Sequence, residues 1–237
     1  MLSHELRTPL SAIVGWAQML QRGDYIKWLG LVSHEFFHAW NVRRMRPQAL
    51  AHYDYGQEVY TQELWLAEGL SSYYDDLLLF RAGLIDVADS FDLLAQEIRH
   101  YETMPGRHVR SAELASFDTW IKQYKPDENS VNSTVSYYRK GALIGFVTDT
   151  AIRRETRNRA SLDTVMRDMY RRYGPDGPGR GVYPPGAFEE AVERAAGPEA
   201  RRFVEDLLRA TDDPAVDGAL DWYGLTLNRA PARTAAE

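Results

Sequence analysis

The hydrophobic positions of this chain recur at the spacing of α-helices over almost its whole length. In residues 1–22, apolar side chains return every three or four positions. The same spacing, interrupted by Gly and Pro, predicts further helices over residues 25–42, 61–82, 86–101, 111–122, 134–156, 161–173, 186–195 and 198–210. One possible strand spans residues 222–227. The pattern therefore predicts a mainly α fold.

The helix predicted over residues 25–42 carries the pattern H-E-x-x-H, with His34, Glu35 and His38 at its fixed positions. Histidines four residues apart lie on one face of a helix, and two imidazoles one turn apart can bind one Zn²⁺. Glu35 points to a neighbouring face, from which its carboxylate can reach a water molecule at the metal. The bare pattern also fits a helix with two incidental histidines, so a zinc site needs further ligands.

A third ligand is available from the helix predicted over residues 61–82, in which Glu68 stands within the sequence W-L-A-E-G. These apolar neighbours place Glu68 in a packed region, where a lone carboxylate is rarely tolerated without a partner. Two histidines and one carboxylate leave the fourth position of a zinc ion open for water, which is typical of catalytic sites. We therefore predict one zinc ion per chain, bound by His34, His38 and Glu68.

Composition limits the class of protein and its partners. Of 237 residues, 44% are hydrophobic and 12% are aromatic, which is enough for a substantial core. The net charge of −6 and the dispersed basic residues argue against nucleic acid as a partner. The lack of cysteine excludes disulfides and thiolate metal ligands. No apolar run reaches the length of a membrane span, and no signal peptide is evident, so a cytoplasmic location is favoured.

Long stretches between about residues 24 and 220 resemble the catalytic domain of glycyl aminopeptidases. This family consists of zinc peptidases of the gluzincin type. The matching stretches are LGLVSHEFFHAWNVRRMRP, LWLAEGLSSYYDDLLLFRAGL, SFDTWIKQYKPDENSVNSTVSYYRKGAL and SLDTVMRDMYRRY. The resemblance implies the helical C-terminal part of a thermolysin-like catalytic domain that lacks the usual preceding β-rich segment. Residues 221–237 would then begin a truncated following domain or form a disordered tail.

The resemblance also implies roles for individual residues. His34, His38 and Glu68 match the zinc ligands of the family, and Glu35 matches its general base. Zinc lowers the pKa of a bound water to about 7 and polarises the scissile carbonyl group. Glu35 would take the proton of this water and pass it to the leaving amine.

A tyrosine is expected to complete the catalytic groups. Residues 138–141, with the sequence Y-R-K-G, are similar to the Tyr-x-Lys-Gly motif of related aminopeptidases. In those enzymes the tyrosine hydroxyl stabilises the tetrahedral intermediate, a role that hydrogen-bond donors commonly fill in acyl transfer. The role would fall to Tyr138 here, with Tyr137 as the alternative.

Other polar residues lie near the predicted ligands. Asp75 follows Glu68 by seven positions, on the same helical face, and is the first residue expected to orient a histidine; Asn41 is the second. Both residues also fit a solvated surface. An arginine run follows the metal-binding helix and could face a substrate carboxylate, although a solvated or ion-paired run fits equally well. Its members are Arg43, Arg44 and Arg46.

The N-terminal segment differs from the rest. Residues 2–20, LSHELRTPLSAIVGWAQML, resemble the phosphoacceptor helix of sensor histidine kinases, in which the residue matching His4 receives the phosphoryl group. The resemblance covers one helix, and no Gly-rich nucleotide loop follows. Residues 1–23 are therefore interpreted as a fusion or a remnant helix, followed by a peptidase domain over residues 24–220.

The sequence thus predicts a zinc metallopeptidase, an aminopeptidase acting on peptides with small N-terminal residues such as Gly or Ala. Without the β-rich segment, the cleft would keep an exposed apolar face, which predicts self-association. One alternative is a truncated, catalytically inactive fragment that binds zinc or serves as an interaction module. A third hypothesis is a signalling fragment phosphorylated on His4.

Overall fold

The computed structural model describes residues 22–52 and 54–230. The predicted phosphoacceptor residue His4 lies outside these residues. The described α-helices are α1 (Arg22–Phe37), α2 (Leu70–Arg81), α3 (Val87–Glu102), α4 (Ala112–Phe117), α5 (Thr119–Lys122), α6 (Ser130–Ser133), α7 (Tyr137–Thr156), α8 (Leu162–Tyr173), α9 (Ala187–Ala196), α10 (Pro198–Arg209) and α11 (Val216–Trp222). Short 3₁₀ helices span Gln48–Leu50 and Pro105–His108, and a π-helix spans Trp65–Gly69. The predicted mainly α fold is confirmed.

Helix α7 lies at the centre of the core. Its apolar side chains Leu143, Ile144, Val147 and Ile152 are almost fully buried. Around it pack α2 and the π-helix on one side and α4, α9, α10 and α11 on the others. Burying a side chain of this size contributes roughly 1.5–3 kcal/mol. A helix that is apolar on most of its faces is expected at the centre of such an arrangement.

The strand predicted over residues 222–227 is wrong. Trp222 is the last residue of α11, and residues 225–230 form no regular structure. Val216, Ala219 and Leu220 are buried at helical spacing, so packing against α7 determines the local conformation there. The described part of the chain instead contains two-residue strands β1 (Arg46–Pro47) and β2 (Val182–Tyr183), which pair in parallel. Two residues are too few for an alternating pattern to reveal them.

Two predicted helices differ from the prediction close to His38 and Glu68. The helix predicted over residues 25–42 ends at Phe37, and residues 38–45 turn back on themselves. The helix predicted over residues 61–82 begins with the π-helix and continues as α2. Single-turn π-helices of this kind occur frequently at functional sites.

Two glycines set the distance between the π-helix and α7. A Cβ atom on Gly141 would lie 2.8 Å from the Cα atom of Gly69 and 2.8 Å from the carbonyl oxygen of Trp65. Only residues without a side chain allow the two backbones to approach this closely. Glu68 precedes one of these glycines and Tyr138 lies one turn before the other, so the crossing brings these two side chains to the same region.

A buried lysine connects α7 to other parts of the chain. Lys140 is fully buried, and its ammonium group donates hydrogen bonds to the carbonyl oxygens of Arg107, Arg110 and Ala210 at 3.1–3.3 Å. Burial lowers the pKa of Lys140 to about 8. These bonds join α7 to the segment after α3 and to the end of α10.

Helix α1 keeps an apolar face exposed. Trp28, Leu31, Val32 and Phe36 each expose roughly half of their surface or more. These residues recur at helical spacing and therefore form one continuous stripe. None of the helices in the described ranges is long and apolar enough to cross a membrane.

Candidate metal centre

Three predicted ligands converge where α1 ends beside the π-helix. The Nε2 atoms of His34 and His38 lie 3.2 and 3.1 Å from the same carboxylate oxygen of Glu68. One ligand atom from each residue lies within 4.8 Å of the other two. The nitrogen and oxygen donors are those that Zn²⁺ prefers, and a set of three is that of catalytic zinc sites.

The other nitrogen of each imidazole is already engaged. Nδ1 of His34 lies 3.3 Å from a carboxylate oxygen of Asp75, and Nδ1 of His38 lies 2.9 Å from the carbonyl oxygen of Asn41. When Nδ1 donates a proton to such a partner, Nε2 presents its lone pair to the centre of the cluster. The residues present therefore fit a bound zinc ion both in donor type and in orientation.

The electrostatics of the cluster favour positive charge at its centre. Burial raises the pKa of Glu68, but hydrogen bonds from His34 and His38 outweigh it and lower that pKa to about 2. Burial lowers the pKa of His34, but hydrogen bonds to Asp75 and Glu68 outweigh it and raise that pKa to about 9. The hydrogen bond to Glu68 also raises the pKa of His38. A cation can replace these protons between the same groups.

Asn41 connects the turn after α1 to the helix that carries Glu68. Its side chain is fully buried, and its amide nitrogen donates to the carbonyl oxygens of Leu66 and Ala67 at 3.0 Å and to Ser71 at 3.2 Å. The sequence predicted that Asn41 would orient a histidine. The structure shows two separate contacts: its backbone carbonyl accepts from His38, and its side chain binds the π-helix.

The catalytic candidate Glu35 lies on the wall of the adjoining cleft. Its side chain is exposed on α1 and lines a cleft of about 550 Å³ together with His38 and Glu68. Within the described part of the chain, its carboxylate makes no hydrogen bond or ion pair. An unpaired carboxylate beside the ligand cluster is available to exchange a proton with a molecule in the cleft.

The two tyrosines at the start of α7 have different surroundings. The ring of Tyr138 stacks beside that of His34, with the ring centroids 6.2 Å apart, and burial followed by the charge of Glu68 raises the pKa of Tyr138 to about 12. Tyr137 is almost fully buried, and its hydroxyl lies 3.5 Å from that of Tyr124. Of these two tyrosines, Tyr138 is the one that lies beside the predicted ligands His34 and Glu68.

Sequence reasoning missed three features that shape this centre. They are the π-helix, the glycine contact and the backbone of Val42, which has a φ of 102°. The glycines of W-L-A-E-G and Y-R-K-G, both inside predicted helices, are the signal that could have revealed the contact, because glycine is unfavourable there without a packing reason.

Comparisons with known proteins relate the chain to peptidases. The model of the M61 glycyl aminopeptidase family matches residues 27–144, which confirms the resemblance read from the motifs. A crystal structure of an aminopeptidase N family protein from Idiomarina loihiensis is similar to the chain, with a TM-score of 0.80 and 31% sequence identity. The match covers 85% of this chain and 34% of that protein, so the chain spans about a third of its length. None of the curated proteins matches significantly.

The N-terminal resemblance is also confirmed, since the model of the His Kinase A (phospho-acceptor) domain matches residues 1–36. This match overlaps the start of the peptidase match and includes most of α1. Phosphorylation of His4 stays a prediction. It would give an acid-labile phosphohistidine that is lost in His4→Gln.

Proposed function

We propose that this chain, which is similar to glycyl aminopeptidases over residues 27–144, forms the helical part of a zinc-dependent peptidase site. The proposal rests on one observation above all: the Nε2 atoms of His34 and His38 converge with a carboxylate oxygen of Glu68. The Nδ1 atoms of both histidines already contact Asp75 and the carbonyl of Asn41. The position of Glu35 in the adjoining cleft supports a catalytic role rather than a purely structural one.

The chemistry follows from the side chains around the cluster. A zinc ion held by His34, His38 and Glu68 would polarise a peptide carbonyl group and make water more acidic. Glu35 accepts a proton from the attacking water and delivers it to the leaving amine. The hydroxyl of Tyr138, whose raised pKa keeps it protonated, donates a hydrogen bond to the oxygen that gains negative charge.

The substrates we propose are peptides with a small N-terminal residue such as Gly or Ala. This choice is supported by the similarity to the glycyl aminopeptidase family and not by a contact within the chain. A matched pair of substrates tests it: turnover of glycyl-p-nitroanilide should exceed that of leucyl-p-nitroanilide.

The test of catalysis is the hydrolysis of glycyl-p-nitroanilide by protein loaded with zinc. Glu35→Gln is expected to keep its zinc and to lose nearly all turnover, because the amide cannot accept the proton. Asp24→Asn is the matched control, since it removes an acid from the same helix away from the cleft. Full activity in Glu35→Gln would show that another group is the base.

The second candidate is a zinc-binding fragment without turnover. The exposed stripe of α1, which includes Leu31, Val32 and Phe36, favours it, because an apolar surface of this kind is typical of an interaction site. Stoichiometric zinc in a wild-type chain that hydrolyses no peptide would support this candidate over the peptidase.

A further inference from the structure

The turn that follows His38 brings an arginine to the wall of the proposed catalytic cleft. Arg43 lines this cleft of about 550 Å³ together with Glu35 and Glu68. A cleft of this volume is typical of sites that bind small ligands. Arg43 is exposed, and Arg46 contributes a second positive charge to the same wall.

The backbone that positions Arg43 is strained. Val42 has a φ of 102°, a conformation that β-branched residues almost never adopt. The strained residue is held on both sides: its N–H donates to the carbonyl of Met45 at 2.9 Å, and the N–H of Arg43 donates to the carbonyl of His38 at 3.1 Å. Strain maintained in this way is a recurrent property of ligand-binding sites.

The three arginines of this turn differ in their partners. Arg44 donates to the carbonyl oxygen of Ala39 at 2.9 Å, and Arg46 donates to that of Arg43 at 2.7 Å. The guanidinium of Arg43 forms neither a hydrogen bond nor an ion pair with any residue of the ranges 22–52 and 54–230. Its planar set of donors matches a carboxylate, which it can bind through two parallel hydrogen bonds.

We propose that Arg43 binds the C-terminal carboxylate of a short peptide, so that the site selects dipeptides and tripeptides over longer chains. The inference rests on the proposed function, because the ligand cluster must hold the peptide bond that is cleaved. A peptide chain extends by up to about 3.6 Å with each residue, so each residue added beyond the cleaved bond can carry the carboxylate further from the cluster and out of the cleft that Arg43 lines.

Two substrates that differ only in the carboxylate test this specificity. Wild-type protein is expected to cleave glycyl-leucine with a kcat/KM roughly 10- to 100-fold above that for glycyl-leucinamide, the range for a hydrogen bond between charged groups. Arg43→Gln should bring this ratio close to one, and Arg43→Lys should give an intermediate ratio because it keeps the charge without the planar geometry. Arg44→Gln is the matched control and should keep the wild-type ratio. An unchanged ratio in Arg43→Gln would overturn the proposal.

A third substrate identifies the source of the carboxylate. Glycyl-glutamic acid α-amide carries its carboxylate on the side chain only. Arg43→Gln should lower kcat/KM for this substrate no more than it does for glycyl-leucinamide. A larger response than that of glycyl-leucine would show that Arg43 recognises an acidic side chain instead, and would overturn the assignment to the C-terminus.

Binding separates this inference from the proposed function. If the wild-type protein cleaves neither glycyl-leucine nor glycyl-leucinamide, the peptidase proposal fails, and calorimetry on zinc-loaded Glu35→Gln protein still decides about Arg43. Roughly 10-fold tighter binding of glycyl-leucine, lost when Arg43→Gln is added, would support carboxylate binding. Equal binding of the two peptides would refute it.

Discussion

Replacing Gly141 with alanine tests the contact that places Tyr138 beside the predicted metal ligands. The added Cβ atom would lie 2.8 Å from the Cα atom of Gly69 and from the carbonyl oxygen of Trp65, and 3.3 Å from the Cα atom of Trp65. All of these are backbone atoms, which cannot move away by rotating a side chain. The π-helix and α7 must therefore separate to admit a single methyl group.

The expected cost combines two opposing effects. Alanine in the interior of a helix is more favourable than glycine by about 0.5–1 kcal/mol. Overpacking a closely packed contact typically costs about 1–3 kcal/mol. Because every obstructing atom at Gly141 belongs to the backbone, we expect the upper part of that range and a net loss of stability of about 1–2 kcal/mol.

Urea unfolding of the metal-free protein, followed by circular dichroism, measures this loss. Gly218→Ala is the matched control, since Gly218 lies in α11 and a Cβ atom there meets nothing within 4 Å. That control should be as stable as the wild type, or more stable by up to about 1 kcal/mol. If Gly141→Ala behaved like Gly218→Ala, the close crossing described here would be wrong.

Three further predictions concern the cluster itself. Tyr138→Phe should lower kcat for glycyl-p-nitroanilide by about 100-fold or more at unchanged zinc content, whereas Tyr137→Phe should change kcat little; equal losses would refute the assignment. Asp75→Asn should weaken zinc affinity by about 10- to 100-fold in a chelator competition, and an unaltered affinity would show that its contact with His34 is dispensable. Burial lowers the pKa of His34, but its hydrogen bonds to Asp75 and Glu68 raise it to about 9, so zinc must displace a proton at pH 7. Zinc affinity should therefore rise with pH up to about 9. In the metal-free protein, the bound proton stabilises the fold fully below about pH 6.5, and this stabilisation decreases as the pH rises to about 9 and beyond. Calorimetry in buffers of different ionisation enthalpy measures the released protons, and none at pH 7 would contradict the argument.

The metal ligands illustrate what a sequence can predict here. Two histidines at helical spacing can bind the same metal ion. The carboxylate of Glu68 needs a partner because its sequence neighbours are apolar. Local spacing and burial are sufficient for this reasoning, because each depends on a few neighbouring residues. The structure brings these three side chains together at the end of α1.

The features that the sequence left open depend on contacts between distant segments. The π-helix has no local pattern, and the side chain of Asn41 binds it by donating to the carbonyls of Leu66 and Ala67. The choice between Tyr137 and Tyr138 likewise depends on where α7 crosses the π-helix. The incorrect strand at residues 222–227 has the same origin, because packing against α7 determines the conformation there.

The proposed function requires that His34, His38 and Glu68 bind one zinc ion. Diffraction from crystals grown with zinc, measured on both sides of the zinc absorption edge, tests it most directly. We expect a single anomalous peak in contact with both Nε2 atoms and the carboxylate, and its loss in His38→Ala. A peak elsewhere, or none at these three residues in the wild-type protein, would show that the three side chains do not bind zinc.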